Sequence, residues 1–291
     1  MKQNYFSDVR SIFNRADIIK RFIYINAIVF IVIKIAWLCF FLIDSYPTSF
    51  DPLNWFGFPA SFGKYLHKPW TILTYMFYHE GFFHILSNML FFYFAGKIFV
   101  EYLGTKRMIF TYLFGGFAGA ILYMLCYSIF PVFNKLHNYS VAIGASASAF
   151  AVFITIASYV PNYMVNLFLF GRVRLKTIAI ISVLIDLLLI SDSNSGGHIT
   201  HLGGAFFGFV FANQLKKGRD ISVPFSSFFL SIKSFFSIKR KSNLKVAYSK
   251  YQKKDSLTKQ QQIDVILDKI AKSGYESLSK QEKDDLFNLS K

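Results

Sequence analysis

Two stretches of this sequence carry reactive side chains into segments apolar enough to lie in a membrane. Gly144-Ala145-Ser146-Ala147-Ser148-Ala149-Phe150 opens one such segment, and His198-Ile199-Thr200-His201-Leu202-Gly203-Gly204 opens another. Hydroxyl and imidazole groups are costly in lipid unless they serve a purpose, and a serine becomes a useful nucleophile only with a base within hydrogen-bond reach. Ser146 is the candidate nucleophile and His201 the candidate general base of a serine hydrolase working inside a bilayer. Small residues allow the two segments to meet. Gly144 and Ser148 on one, with Gly204, Gly208 and Ala212 on the other, leave two faces of little bulk. Attack on a peptide carbonyl also creates an oxyanion that needs donors aimed at it; His84, Asn88 and the Ser146 backbone N–H are the candidates. Ser148 is a rival hydroxyl, but two helical positions rotate it about 200° from Ser146, so only one of them can face His201.

The elements that must hold these groups follow from composition. Of 291 residues, 54% are hydrophobic, 19% aromatic and only 16% charged, and the mean hydropathy of +0.39 is that of an integral membrane protein. The net charge of +16 falls in short loops and in a tail, where an anionic inner membrane surface accounts for it, so no nucleic-acid partner is expected. Cys39 and Cys126 each sit inside an apolar run and imply no disulfide framework.

Six spans are expected, at about residues 21–43, 80–101, 107–130, 141–159, a fifth ending near 190, and 196–215. Lys34 lies near the middle of the first and is expected to face neighbouring helices or to snorkel. Between the first two spans, a loop with Pro47, Trp55, Pro59 and Trp70 is dense in aromatics, as a segment lying among lipid headgroups would be. Gly115 and Gly119 give the third span a close-packing face. Basic residues at Lys20 and Arg21, at Lys97, Lys106 and Arg107, at Arg172, Arg174 and Lys176, and at Lys216, Lys217 and Arg219 mark alternate ends of the spans. Both termini are therefore expected to be cytoplasmic. Spans two, four and six then run inward from the outer face, and His84, Ser146 and His201 each fall about five residues, or roughly 7–8 Å, into them.

The ordered set His84-Ile85-Leu86-Ser87-Asn88-Met89, Glu101-Tyr102-Leu103-Gly104, the Gly-x-Ser run at Ser146, and His201-Leu202-Gly203-Gly204 resembles the rhomboid family of intramembrane serine proteases across about residues 20–215. The resemblance implies a Ser146–His201 dyad, an oxyanion hole completed by His84 and Asn88, and a ring at Phe150 packed on the base. It also implies a structural carboxylate at Glu101 that ties the second span to its neighbours, and movement of the fifth span or the first loop as a gate. Gly144, Gly204 and Gly208 are the supporting close-packing positions. Two positions depart from the family pattern. Ala147 follows the serine where glycine is usual, its methyl expected to crowd the oxyanion site, and Trp70-Thr71 stands where a Trp-Arg pair is usual.

The remaining polar groups suggest no cofactor and no metal. His79 and His84 are five apart, whereas two ligands on one helical face need a spacing of four. His198 and His201 are three apart, but no third ligand with suitable spacing is evident. Asp186 is expected to make a structural hydrogen bond. Beyond the last span, Phe225, Phe228, Phe229, Phe235 and Phe236 mixed with Lys233, Lys239 and Arg240 describe an interfacial segment. Ile263, Ile266, Leu267 and Ile270 then mark a helical stripe ending before Gly274, and Ser279 with Glu282 forms a capping-box pattern for a second helix.

The resulting expectation is an all-α polytopic protein of the cell's inner (cytoplasmic) membrane. It comprises a cytoplasmic N-terminus (1–20), a rhomboid-like six-span domain (21–215), a basic, partly interfacial linker (216–260) and a cytoplasmic helical hairpin (261–291). Its expected activity is endoproteolysis of transmembrane-protein substrates near the outer face, with the bilayer as surroundings and a cytoplasmic partner for the tail. A catalytically impaired client-binding relative and a transporter using its intramembrane His and Asp are the alternatives.

Overall fold

A computed structural model describes residues 17–43, 51–168, 171–192, 194–225 and 259–289. The chain divides into two compact units, Met1–Ile232 and Lys233–Lys291. Residues 1–16 of the expected N-terminal segment and residues 226–258 of the expected linker, with most of its aromatic and basic stretch, lie outside the described residues.

Among the described residues, the first unit carries six long helices: α1 (Ile18–Leu42), α2 (Phe82–Leu103), α3 (Thr105–Ile129), α4 (Ser146–Tyr159), α5 (Leu175–Leu188) and α6 (Ser195–Lys216). By length and composition α1, α2 and α3 are apolar enough to cross a membrane, and α4 is apolar but shorter. Asp17 caps α1 by accepting from the Lys20 N–H, and of that helix only Ile19, Phe22 and Asn26 are buried. Many of its other apolar side chains, Ile28, Val32 and Leu38 among them, are exposed, as is Lys34, whose ammonium lies 5.8 Å from the Phe30 ring. Gly104 alone links α2 to α3, at φ +79°, a conformation that favours glycine.

The core is built around α4, whose residues from Ala147 to Ala157 are all buried. A helix covered on every side must be approached closely by its neighbours, and glycines supply that approach. On α6, a Cβ added at Gly204 would stand 2.3 Å from the Ala147 carbonyl oxygen, and one at Gly208 2.6 Å from that of Ala151. On α3, the same atom at Gly115 would meet the Ala151 methyl at 2.1 Å, and at Gly119 the Ala147 methyl at 2.8 Å. Gly203 completes the set by facing the Ala118 carbonyl of α3. Thr155 adds a polar tie, its hydroxyl bonding the carbonyls of Ala151 at 2.8 Å and Gly208 at 3.2 Å.

The chain between α1 and α2 departs from the sequence expectation. Trp55 and Trp70 are exposed and stack at 5.8 Å, as interfacial aromatics do, but Phe58, Ala60, Tyr75 and Met76 are buried in the core. The Tyr75 hydroxyl donates to the Gly116 carbonyl at 2.6 Å, and Tyr112 returns a bond to the Met76 carbonyl at 3.2 Å. The loop therefore forms part of the protein interior as well as its surface. Its Phe58–Pro59 (β1) pairs antiparallel with Val141–Ala142 (β2). That pairing takes the residues before Ser146 out of the expected fourth span, so α4 begins at Ser146 and not at 141. A second hairpin, Met164–Leu167 (β3) with Gly171–Arg174 (β4), brings Arg172 and Arg174 into a short sheet just ahead of α5.

In the second unit, α7 (Lys259–Ser273) and α8 (Lys280–Leu289) form a helical hairpin. Gly274 turns the chain at φ +76°. Ile266 and Leu278 are buried. The capping box is present: the Ser279 N–H donates to the Glu282 carboxylate at 2.7 Å, and the Glu282 N–H donates to the Ser279 hydroxyl at 3.3 Å. Lys269 reaches across from α7 to bond both Glu282 oxygens.

Candidate active site

Ser146 is the first residue of α4, His84 the third of α2 and His201 the seventh of α6. The three are therefore not at equal helical depth, because the stretch before Ser146 is strand and loop. All three nevertheless border one cavity of about 580 Å³, together with Asn88 and Glu80. At 14 residues α4 is about 21 Å long, less than the roughly 30 Å of a bilayer's hydrocarbon core. Non-helical backbone at membrane depth is tolerated only where protein buries it or a cavity hydrates it. The 143–145 connection meets both conditions. The Gly144 N–H donates to the Tyr75 carbonyl at 2.8 Å, the Ala145 N–H donates to His79 Nε2 at 3.3 Å, and Ile143 lines the cavity.

Gly144 has φ +105° and sits against the candidate oxyanion groups: a Cβ there would lie 2.7 Å from His84 Nε2 and 3.5 Å from Asn88 Nδ2. Asn88 is buried, and its Nδ2 has no hydrogen-bond partner. A buried amide donor left unpaired costs about 1–3 kcal/mol, so the position is strained unless something arrives to accept from it. The start of α4 lacks a side-chain cap. The N–H groups of its first turn, which no α-helix satisfies internally, add partial positive charge at the same wall.

His201 is oriented by two contacts. Its Nδ1 lies 3.0 Å from Asp186 Oδ1 on α5, and its ring centroid lies 5.5 Å from that of Phe150, one turn beyond Ser146. A carboxylate only accepts, so Nδ1 carries the proton and Nε2 of the neutral ring is left free to take one. Ser146 and His201 border the same cavity without a direct hydrogen bond; catalytic contacts of this kind are often long before substrate binds.

Other residues fall elsewhere. Ser148 is fully buried, its hydroxyl unpartnered and turned toward α3, 2.6 Å from where a Cβ on Gly116 would stand. The Ala147 methyl also points to α3, toward Gly119, so it does not crowd the oxyanion site: one step along a helix turns a side chain by about 100°. Glu101 is exposed and makes no hydrogen bond or ion pair among the described residues. Its position in the last turn of α2 points it away from the buried face of Ala95, Phe99 and Leu103.

Two groups were outside the reach of sequence spacing. His79 is a buried acceptor for the backbone one residue before Ser146. Asp186 accepts from His198 Nδ1 at 2.8 Å as well as from His201, so the His198–His201 pair has a third donor after all, brought from the preceding helix by tertiary packing.

Residues 66–217 match the Rhomboid domain family, and residues 249–291 match a family of unknown function, DUF6576. The chain is similar to two proteins of Arabidopsis thaliana. It is 25% identical to RHOMBOID-like protein 1 over 144 residues, half of this chain and 34% of that protein. It is 26% identical to the mitochondrial RHOMBOID-like protein 12 over 158 residues, 51% of this chain and 47% of that protein. The chain thus spans less than half the length of either relative.

Proposed function

Since the chain belongs to the rhomboid family, a family of membrane proteins, we propose that it is an intramembrane serine endopeptidase with Ser146 as nucleophile and His201 as general base. The observation that carries this reading is the single cavity on which Ser146, His201 and the unpartnered Asn88 amide converge.

In the proposed reaction, Ser146 Oγ attacks the scissile carbonyl while His201 Nε2 takes the hydroxyl proton. The developing oxyanion accepts from Asn88 Nδ2, from His84 and from the Ser146 N–H. His201 then gives its proton to the leaving amine, and water entering through the cavity hydrolyses the acyl-enzyme. Asp186 is a positioning residue that holds the Nδ1–H tautomer. Six helices crossing the inner membrane with both termini cytoplasmic is the topology proposed, supported by the alternation of basic residues along the chain. The short α4 then sets Ser146 below the outer surface, where a transmembrane substrate must unwind to offer a peptide bond. Substrates with small or helix-weakening residues near their outer ends are favoured. The hairpin of α7 and α8 is proposed as a cytoplasmic appendage that docks a partner; a topology reporter at the C-terminus that reads the outer compartment would refute it.

The main test is labelling of the detergent-solubilised chain by a fluorophosphonate. Wild type and Ser148→Ala are expected to label, and Ser146→Ala and His201→Ala to remain dark. A wild type no brighter than Ser146→Ala, beside a rhomboid protease that labels in parallel, would leave a rhomboid-like client-binding protein as the reading.

A further inference from the structure

Asp186, His198 and His201 gather three ligand atoms of types that transition metals favour. The Nδ1 atoms of both histidines lie 2.8 and 3.0 Å from one carboxylate oxygen, and all three donors fall within 4.8 Å of one another. The two rings stand nearly perpendicular, at 86°, and both Nδ1 atoms converge on Asp186 Oδ1. All three side chains are shielded, at 8% exposure for Asp186, 15% for His198 and 24% for His201. Tetrahedral Zn²⁺ with ligands at about 2.0–2.2 Å spaces its donors roughly 3.3 Å apart, so only small movements are needed, and three protein ligands leave a fourth position for water.

We propose that this cluster is an inhibitory binding site for a divalent transition metal such as Zn²⁺. The inhibitory half rests on His201 being the base. A metal on Nδ1 of His201 confines the neutral ring's one proton to Nε2, the atom that must accept the Ser146 proton. Metal binding and general-base catalysis therefore compete for the same imidazole. The metal would also join α5 to α6.

The probe is Co²⁺, added to the full-length, detergent-solubilised and EDTA-treated chain carrying no polyhistidine tag. A visible ligand-field band saturating at one equivalent and displaced by Zn²⁺ is expected. Asp186→Asn and His198→Asn, each shown monodisperse by gel filtration, should weaken Co²⁺ binding at least about tenfold. Ser146→Ala should keep the band, because it leaves every ligand in place. In parallel, Zn²⁺ should suppress fluorophosphonate labelling of the wild type, and EDTA should restore it. Absence of the cobalt band, or a band that both ligand variants retain, overturns the site whatever the labelling shows. A band with no labelling sinks the protease reading and leaves the metal site standing, and labelling that Zn²⁺ does not alter despite the band overturns the inhibitory role.

Discussion

The Ala145 N–H donates to His79 Nε2 across 66 residues of sequence, at 3.3 Å. This contact fixes the backbone immediately before the candidate nucleophile, and it requires a neutral imidazole, since a protonated ring has no acceptor. Burial, with His84 nearby, pushes the His79 pKa from 6.5 down to about 4. Between those values the unfolded chain binds more protons than the folded one. The stabilisation is thus complete above pH 6.5, lost progressively as pH falls toward 4, and unchanged further below. The full difference is on the order of 3 kcal/mol. Thermal unfolding in detergent should show the midpoint falling as pH is lowered from about 7 to 4. His79→Phe, which cannot titrate, should be less stable near neutrality and show a shallower slope; an unchanged slope would remove His79 as its source.

Gly144 is the second point at which the backbone before Ser146 is constrained. Its φ of +105° disfavours any side chain, and a Cβ would press on His84 Nε2 at 2.7 Å. Gly144→Ala should lose about 1–3 kcal/mol of stability from backbone strain. Its fluorophosphonate labelling should fall more steeply than its stability, because the displaced group is a candidate oxyanion donor. Labelling at the wild-type rate would show that His84 is not needed where the structure holds it.

These constraints also mark how far the sequence could be read. Ser146, His201, His84 and Asn88 stood out because polar side chains are anomalous in apolar segments, and a local anomaly needs no knowledge of packing. The capping box at Ser279 and Glu282 was legible for the same reason, its partners being three residues apart. The β1–β2 pairing was not, since Phe58 meets Ala142 only after the helices have packed. His79 and Asp186 find their partners, the Ala145 N–H and the two histidines, only through tertiary contact. The Glu101 expectation came from resemblance alone, with no local physical signal to support it.

Gly204 tests the close approach of α6 to α4. A methyl there would meet the Ala147 carbonyl at 2.3 Å, with backbone rather than a flexible side chain in the way. Gly204→Ala should cost about 1–3 kcal/mol by overpacking. By moving His201 relative to Ser146 it should also slow labelling at least about tenfold, since misplacement of about 1 Å can cost far more. Gly218→Ala is the comparison, because nothing lies within 4 Å of its added Cβ; its φ of +76° makes it strained in its own backbone, but it is remote from the cavity. If both variants lose labelling only in proportion to stability, α4–α6 spacing does not control the site.

The two serines at the start of α4 separate chemistry from packing most sharply. Ser146 borders the cavity, whereas Ser148 is buried against α3 with an unpartnered hydroxyl. An unsatisfied buried hydroxyl destabilises by about 1–3 kcal/mol, so Ser148→Ala should leave stability unchanged or raise it. For a chain of this size each 1 kcal/mol corresponds to roughly 2–4 °C in the unfolding midpoint. Ser146→Ala should have little effect on the midpoint while abolishing labelling and cleavage of a reconstituted transmembrane substrate. Measuring both quantities on both variants gives four outcomes that a structural role for Ser146 cannot reproduce. A Ser146→Ala chain that still labels would transfer the reactive hydroxyl to another serine, and a Ser148→Ala chain that no longer labels would require α4 to rotate from the orientation described here.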